Sequence, residues 1–239
     1  MSAIADNLNR VNEAIATACR EAGRSVDEVR LMAVSKTHQV EYLLEAVEAG
    51  HRLFGENRVQ EFAEKSPHLD GMQDVEVHLI GHLQTNKTAR AAEIFQGIDT
   101  VSSLRVAQRL HTAAKTAGRI LPVLLEIKLS PEEAKEGLSP DSAELESLLE
   151  RLPDLDDHLP LHGLMTVAPI AEDPAIARDC FRQLRELREN LAARHSNLSF
   201  EELSMGMSGD FEAAVAEGST VVRIGTAIFG ARPKPNPHL

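Results

Sequence analysis

The sequence has no tryptophan, a single tyrosine (Tyr42) and seven phenylalanines in 239 residues. So few aromatic rings argue against a protein that stacks nucleobases. Positive charge is also scarce, with 25 Lys and Arg against 37 Asp and Glu and a net charge of −12. A chain with that balance does not bind nucleic acid non-specifically, because displacing counterions needs a basic surface, although one local positive pocket for a phosphate is compatible with it. There are two cysteines, Cys19 and Cys180, far apart and with no CxxC spacing. That pattern suits a reducing compartment and gives no disulfide framework. No apolar run approaches the roughly 18 residues that span a bilayer, and Met1 to Gly23 lacks the apolar core of a signal peptide. His78 and His82 are four apart but fall in a strand and a loop. With no HExxH and no close Cys/His set, no metal site is expected. The absences together predict a soluble, cytoplasmic protein with neither membrane nor nucleic-acid partners.

What is present describes an ordinary globule, 43% hydrophobic and 26% charged. Ile4, Leu8, Val11, Ile15 and Ala18 recur at helical spacing and predict an amphipathic helix over 3–22, ended by Gly23. Ser25 and Glu28 then have the spacing of a capping box. Beyond them β-rich runs alternate with helical patterns. Strands are expected at 31–35, 52–54, 75–80, 99–101, 123–127, 161–165, 203–205 and 221–224. Helices are expected at 40–49, 59–65, 87–95, 104–117, 140–152, 174–195 and 211–216, with a turn at 227–230.

Eight βα units in one chain of this size predict a single (β/α)8 barrel of the TIM type with an extra N-terminal helix. A doubly wound open sheet is the alternative. It usually has fewer strands and often a glycine-rich first turn, whereas the first turn here is Ser35-Lys36-Thr37. The barrel is expected to occupy 1–232 as one domain, and the proline-rich segment 233–239 to be a loose tail.

A closed parallel barrel carries its site at the C-terminal ends of the strands. Those ends deliver Lys36, the run Gly55 to Arg58, the run Gly81 to Gln84 with Asn86 and Lys87, Lys128, Thr166, the run Ser204 to Asp210, and Arg223 with Gly225 and Thr226. Lys36 directly follows the first strand. A partly buried ammonium is destabilised, so its pKa falls and the free amine becomes able to attack a carbonyl. The plainer reading is a strand-end lysine whose charge reaches solvent.

Ser208-Gly209 stands before one predicted helix and Gly225-Thr226 before the last turn. Small residues with free backbone N–H groups at such places cradle an anion, and barrel enzymes often bind phosphate in the loops after strands seven and eight. Taken singly they read equally well as a helix cap and packing glycines. A lysine on strand one opposite a phosphate cradle fits a phosphorylated aldehyde held as an imine, and pyridoxal phosphate is the most frequent such partner. Arg223 would then lie near the ring. A cation donating to the pyridine nitrogen keeps it unprotonated, which weakens the ring as an electron sink. The plainer reading of Arg223 is a strand-end arginine paired to an acid. A Schiff-base aldolase acting on a sugar phosphate would use the same lysine and cradle without a cofactor.

Several longer motifs carry a family likeness. They are Ala33-Val34-Ser35-Lys36, Phe54-Gly55-Glu56-Asn57-Arg58-Val59-Gln60-Glu61, and His78 through Lys87. With them go Gly163-Leu164-Met165, Leu203-Ser204-Met205-Gly206-Met207-Ser208 and Val222 through Gly230. In this order the chain resembles the pyridoxal phosphate homeostasis proteins, also called proline synthase co-transcribed homologues, over about 4–232. The resemblance implies a fold-type III barrel like the N-terminal domain of alanine racemase, with the cofactor as an aldimine on Lys36. It further implies Arg223 near the ring nitrogen, Asn57 on the side of the 3-hydroxyl, and Ser208, Gly225 and Thr226 at the phosphate, with Ser204 as a further phosphate residue.

The implied role is intracellular cofactor homeostasis, in which the protein buffers pyridoxal 5′-phosphate and delivers it to apo-enzymes. The alternative is a weak fold-type III amino-acid racemase. Two-base racemisation needs an acid/base on each face of the substrate carbon. The usual second base, a tyrosine from a β-rich second domain, is not expected here, and Tyr42 is expected to face outward. One stretch departs from the family pattern: Glu126-Ile127-Lys128-Leu129-Ser130 stands where relatives more often carry Asn, while Glu133, Lys135 and Gly137 follow the pattern.

Overall fold

The computed structural model describes residues 2–72, 74–129, 136–169 and 173–231. The chain begins with α1 (Ala3–Glu21), capped by the Ser2 hydroxyl, which accepts from the Ala5 N–H. Its buried stripe is Ile4, Leu8, Val11, Ile15, Ala18 and Cys19, and Gly23 turns the chain away with φ +68°. Ser25 and Glu28 do form the capping box, around a single 3₁₀ turn at Val26–Glu28. The alternation then begins with β1 (Arg30–Val34), α2 (Val40–Glu48), β2 (Leu53–Glu56) and α3 (Val59–Lys65). It continues through β3 (Glu76–Leu79), α4 (Thr88–Ile94), β4 (Gly97–Val101) and α5 (Leu104–Thr116). Next come β5 (Val123–Glu126), α6 (Ala143–Arg151), β6 (Leu161–Met165) and α7 (Pro174–Arg194). The last elements are β7 (Glu202–Met207), α8 (Phe211–Ala216), β8 (Val221–Ile224) and the short α9 (Thr226–Phe229).

The eight strands run parallel in sequence order and close on themselves, with β8 pairing β1. This is the TIM-type barrel, with α1 as the extra helix packed beside α8 and α9. The strand period of two divides each strand between two environments. Leu31, Ala33, Phe54, Val222 and Ile224 join the main core between strands and helices. Met32, Leu53 and Val221 form a separate cluster with Ile80, which fills the barrel interior. Lys36 continues the inward parity of Met32 and Val34, and Arg223 that of Val221.

Most element boundaries shift by one or two residues from expectation, and two of the shifts have a visible cause. The helix predicted from Pro140 starts at Ala143, because the Ser142 hydroxyl accepts from the Leu145 N–H and caps it there. Strand seven, expected to stop at 205, runs on to Met207 through Gly206, whose φ of +94° admits a register shift against β8. The proline-rich tail at 233–239 and the pattern residues Glu133 and Lys135 lie outside the described residues.

Candidate functional site

At the C-terminal mouth of the barrel a cavity of about 320 Å³ is lined by Val34, Lys36, His38, Ile80, Val167, Met207, Ser208, Gly209, Arg223, Gly225 and Thr226. It therefore brings together Lys36, Arg223, Ser208, Gly225 and Thr226, five of the residues singled out from the sequence. They come from strand ends one, seven and eight, and barrel closure alone makes the first and last of these neighbours, with Met32 beside Arg223 and Ala33 beside Ile224.

Arg223 is 4% exposed. Its Nη1 donates to Ser204 Oγ and its Nη2 to the Thr166 carbonyl, both at 2.7 Å. No carboxylate accepts from it directly among the described residues. Burial pulls the guanidinium below its ordinary value, and the charges of Asp99, Asp210 and Glu126 oppose that shift. The plainer reading, a strand-end arginine paired to an acid, finds no such pair among the described residues; the hydroxyl and carbonyl hold the guanidinium instead. Ser204, expected as a phosphate residue, is fully buried, does not line the cavity, and serves as this acceptor.

Two loops face Lys36 across the cavity. Ser208 and Gly209 are exposed at the end of β7. Neither caps α8: that place belongs to Asp210, whose carboxylate accepts from the Met207 N–H at 2.5 Å. After β8, the Gly225 carbonyl takes the N–H groups of Ile228 and Phe229, so those of Thr226 and Ala227 precede the first turn's bonds. A Cβ on Gly225 would lie 3.1 Å from the Val34 carbonyl oxygen, so any larger residue would press β1 by a few tenths of an ångström there.

Asn57 does not line the cavity but stands two residues past Gly55, the partner of Val34 in the β1–β2 register. Its Oδ1 is buried without a hydrogen-bond partner. A buried acceptor in that state is costly unless a ligand satisfies it.

Sequence reasoning missed three groups. His38 lines the cavity and is 7% exposed, with its ring between those of Tyr42 and Phe229 at 5.4 and 5.5 Å. The Thr166 residue was noted, but its backbone carbonyl as an arginine acceptor leaves no mark in a sequence. Glu126 sits at the end of β5, where burial and the Glu136 charge raise its carboxyl to about 7 against the pull of Arg223. The departure from family pattern at 126–130 was its only signal. Tyr42 is 40% exposed on α2, facing outward as expected.

A second cavity, about 350 Å³, opens at the N-terminal mouth. Its charged groups already serve one another, with Arg30 on Glu202 and His78 on Asp99, both at 2.8 Å. No cluster of three or more metal-ligating side chains occurs among the described residues. Among them, too, no helix is long and apolar enough to cross a membrane.

The family model described as alanine racemase, N-terminal domain, matches residues 2–233. The pyridoxal phosphate homeostasis protein of Haemophilus influenzae is 41% identical over 230 residues, 96% of each chain. The chain belongs to the pyridoxal phosphate homeostasis protein family. A solved member of similar length is PipY of Synechococcus elongatus with PLP bound, 38% identical, with a TM-score of 0.84 over 95% of this chain and 100% of PipY. Alanine racemase from Streptomyces coelicolor is 21% identical, with a TM-score of 0.72 over 97% of this chain and 58% of the racemase. That likeness is one of fold.

Proposed function

We propose that this chain binds pyridoxal 5′-phosphate reversibly through Lys36 and acts in intracellular homeostasis of the cofactor, buffering it and delivering it to apo-enzymes in the cytoplasm. The observation that carries this reading is a single cavity lined by Lys36, Arg223 and the loops of Ser208–Gly209 and Gly225–Thr226. It is supported by a family relative, PipY, solved with PLP bound. The unit that does this is one barrel domain over 1–232, with 233–239 as its tail.

When bound, the cofactor supplies an aldehyde that an amine can capture and a ring that can accept electrons. Lys36 offers the amine. Arg223 would use its remaining donor capacity on the ring nitrogen and, as a cation, would oppose protonation there. Asn57, whose Oδ1 is buried without a partner, would supply an acceptor for the 3-hydroxyl. The hydroxyls of Ser208 and Thr226 and the backbone at Gly225 receive the phosphate. Ser204 and Thr166 hold the arginine rather than the ligand.

Turnover is expected to be weak or absent. Racemisation needs a second acid/base opposite the lysine, worth about 10²–10⁴-fold. Among the described lining residues the ionisable side chains are those of Lys36, His38 and Arg223. His38 follows the lysine by two residues and is wedged between two rings, and Tyr42 faces away. An aldolase would need no cofactor and would show no visible band.

The test is a visible spectrum of the purified protein before and after borohydride, with Lys36→Ala alongside, followed by transfer of cofactor to an apo-enzyme and an amino-acid racemisation assay. The expected result is a band fixed by reduction onto Lys36, absent in the variant, with transfer and no appreciable racemisation. No band at excess cofactor would overturn the reading, and rapid racemisation would replace the carrier with an enzyme.

A further inference from the structure

Both chain neighbours of Lys36 are tied to one ionic cluster on the outer side of the barrel wall, buried at Glu56 and Lys65 and partly exposed at Glu61. Lys65, 7% exposed at the end of α3, donates from Nζ to Glu56 Oε1 and Glu61 Oε1, each at 2.9 Å, and to the Ser35 carbonyl at 3.2 Å. The Ser35 hydroxyl donates to the same Glu56 oxygen at 2.7 Å. On the other side of Lys36, the Thr37 N–H donates to Glu61 Oε1 at 2.5 Å. Thr37 has φ +68°, the only positive value at a non-glycine position among the described residues. A β-branched residue resists the left-handed region, so something must hold it there. Glu61 is the group in place to do so, since an anionic oxygen makes a strong acceptor for one amide.

The consequence for Lys36 follows from geometry. Where β1 ends, the chain must deliver the Lys36 side chain inward and then reverse toward α2. The left-handed step at Thr37 makes that reversal within one residue. The turn is also closed by the His38 N–H on the Ser35 carbonyl at 3.2 Å, so the left-handed step and that bond together set the direction in which Lys36 leaves β1. Glu61 lines a separate surface cleft with Thr37 and Lys65 and is absent from the walls of the Lys36 cavity.

We propose that Glu61 is a positioning residue for Lys36, holding Thr37 in its left-handed conformation so that the amine is presented to the cofactor. This rests on the reading of Lys36 as the cofactor lysine. Glu56 and Lys65 form the base of the clamp. Removing either would strand a buried charge, so neither suits a test.

The test uses the full chain with Glu61→Ala, Glu61→Gln and Glu61→Ala combined with Thr37→Asn. Two readouts are taken: amide hydrogen exchange of segment 35–38 without cofactor, and pyridoxal phosphate affinity by absorbance titration, each beside the melting temperature. Glu61→Ala is expected to speed exchange across 35–38 and weaken affinity by about tenfold. Glu61→Gln should recover most of both, since its amide oxygen still accepts from Thr37. Asn tolerates the left-handed region, so the double variant should recover affinity without restoring the carboxylate. Unchanged exchange and affinity in Glu61→Ala, in a parent that forms the Lys36 band, overturns the positioning role alone. So does a loss that tracks melting temperature and is not recovered by Thr37→Asn. A parent with no band overturns the cofactor reading and this inference with it.

Discussion

Arg223 Nη1 donates to Ser204 Oγ at 2.7 Å across neighbouring strands β8 and β7, and this bond aims a buried guanidinium that contacts no carboxylate among the described residues. Ser204→Ala would strand a buried donor. A loss of about 1–3 kcal/mol in unfolding free energy is expected, with cofactor affinity falling severalfold as the guanidinium loses its orientation. Denaturant unfolding and a cofactor titration check this together. A variant that loses phosphate affinity but not stability would return Ser204 to the phosphate.

Lys36→Ala should leave the fold intact. The side chain lies half-buried at the cavity mouth, so a stability change within about 1 kcal/mol is expected. Reduction by borohydride should then attach no cofactor to residue 36, as read by mass spectrometry of the digest. Loss of soluble, cooperative folding would contradict this placement.

Asn57→Ala separates ligand binding from stability. Its Oδ1 has no partner within the protein, so deleting it should cost the cofactor-free protein less than about 1 kcal/mol. Cofactor affinity should fall by about tenfold if a ligand hydroxyl is the missing partner. Equal affinity in parent and variant would remove Asn57 from the ring.

Glu126 gives the stability a definite pH dependence. Its folded pKa is raised from 4.5 to about 7, chiefly by burial and then by Glu136, so the native state holds a proton that the unfolded state releases. Its stabilising contribution is complete below about 4.5 and declines as pH rises through about 7. Glu126→Gln removes that decline. The variant should gain on the parent above pH 7 by an amount on the order of 3 kcal/mol at most, less for solvent screening of this partly exposed group. Melting temperatures at pH 5 and pH 8 decide it. Parallel curves for parent and variant would mean that Glu126 is ionised throughout.

Much of this fold was legible in the chain because local rules and global packing agree. The helical spacing of Ile4, Leu8, Val11 and Ile15 became the buried stripe of α1, and Gly23 ended it with a positive φ. The strand at 161–165 and the helices at 59–65 and 211–216 fall at the expected residues. Pro140 misled, because a proline that suits a first helical turn also suits the turn before one, and the Ser142 hydroxyl decided between them. Strand seven was cut short because Gly206 reads as a loop when its partner strand is unseen.

The order of βα units and the residues at each strand end are properties of the chain itself, and so the sequence alone named Lys36, Arg223, Ser208, Gly225 and Thr226. Closure of β8 on β1, which joins residues nearly two hundred positions apart, could only be realised in three dimensions, and it turns those names into one cavity. The same holds for Ser204 beneath Arg223, for the Thr166 carbonyl, and for Glu61 on the Thr37 amide. Those contacts depend on backbone atoms and on burial, which no residue type encodes by itself; they exist only once the packed barrel has excluded water and fixed which donor meets which acceptor.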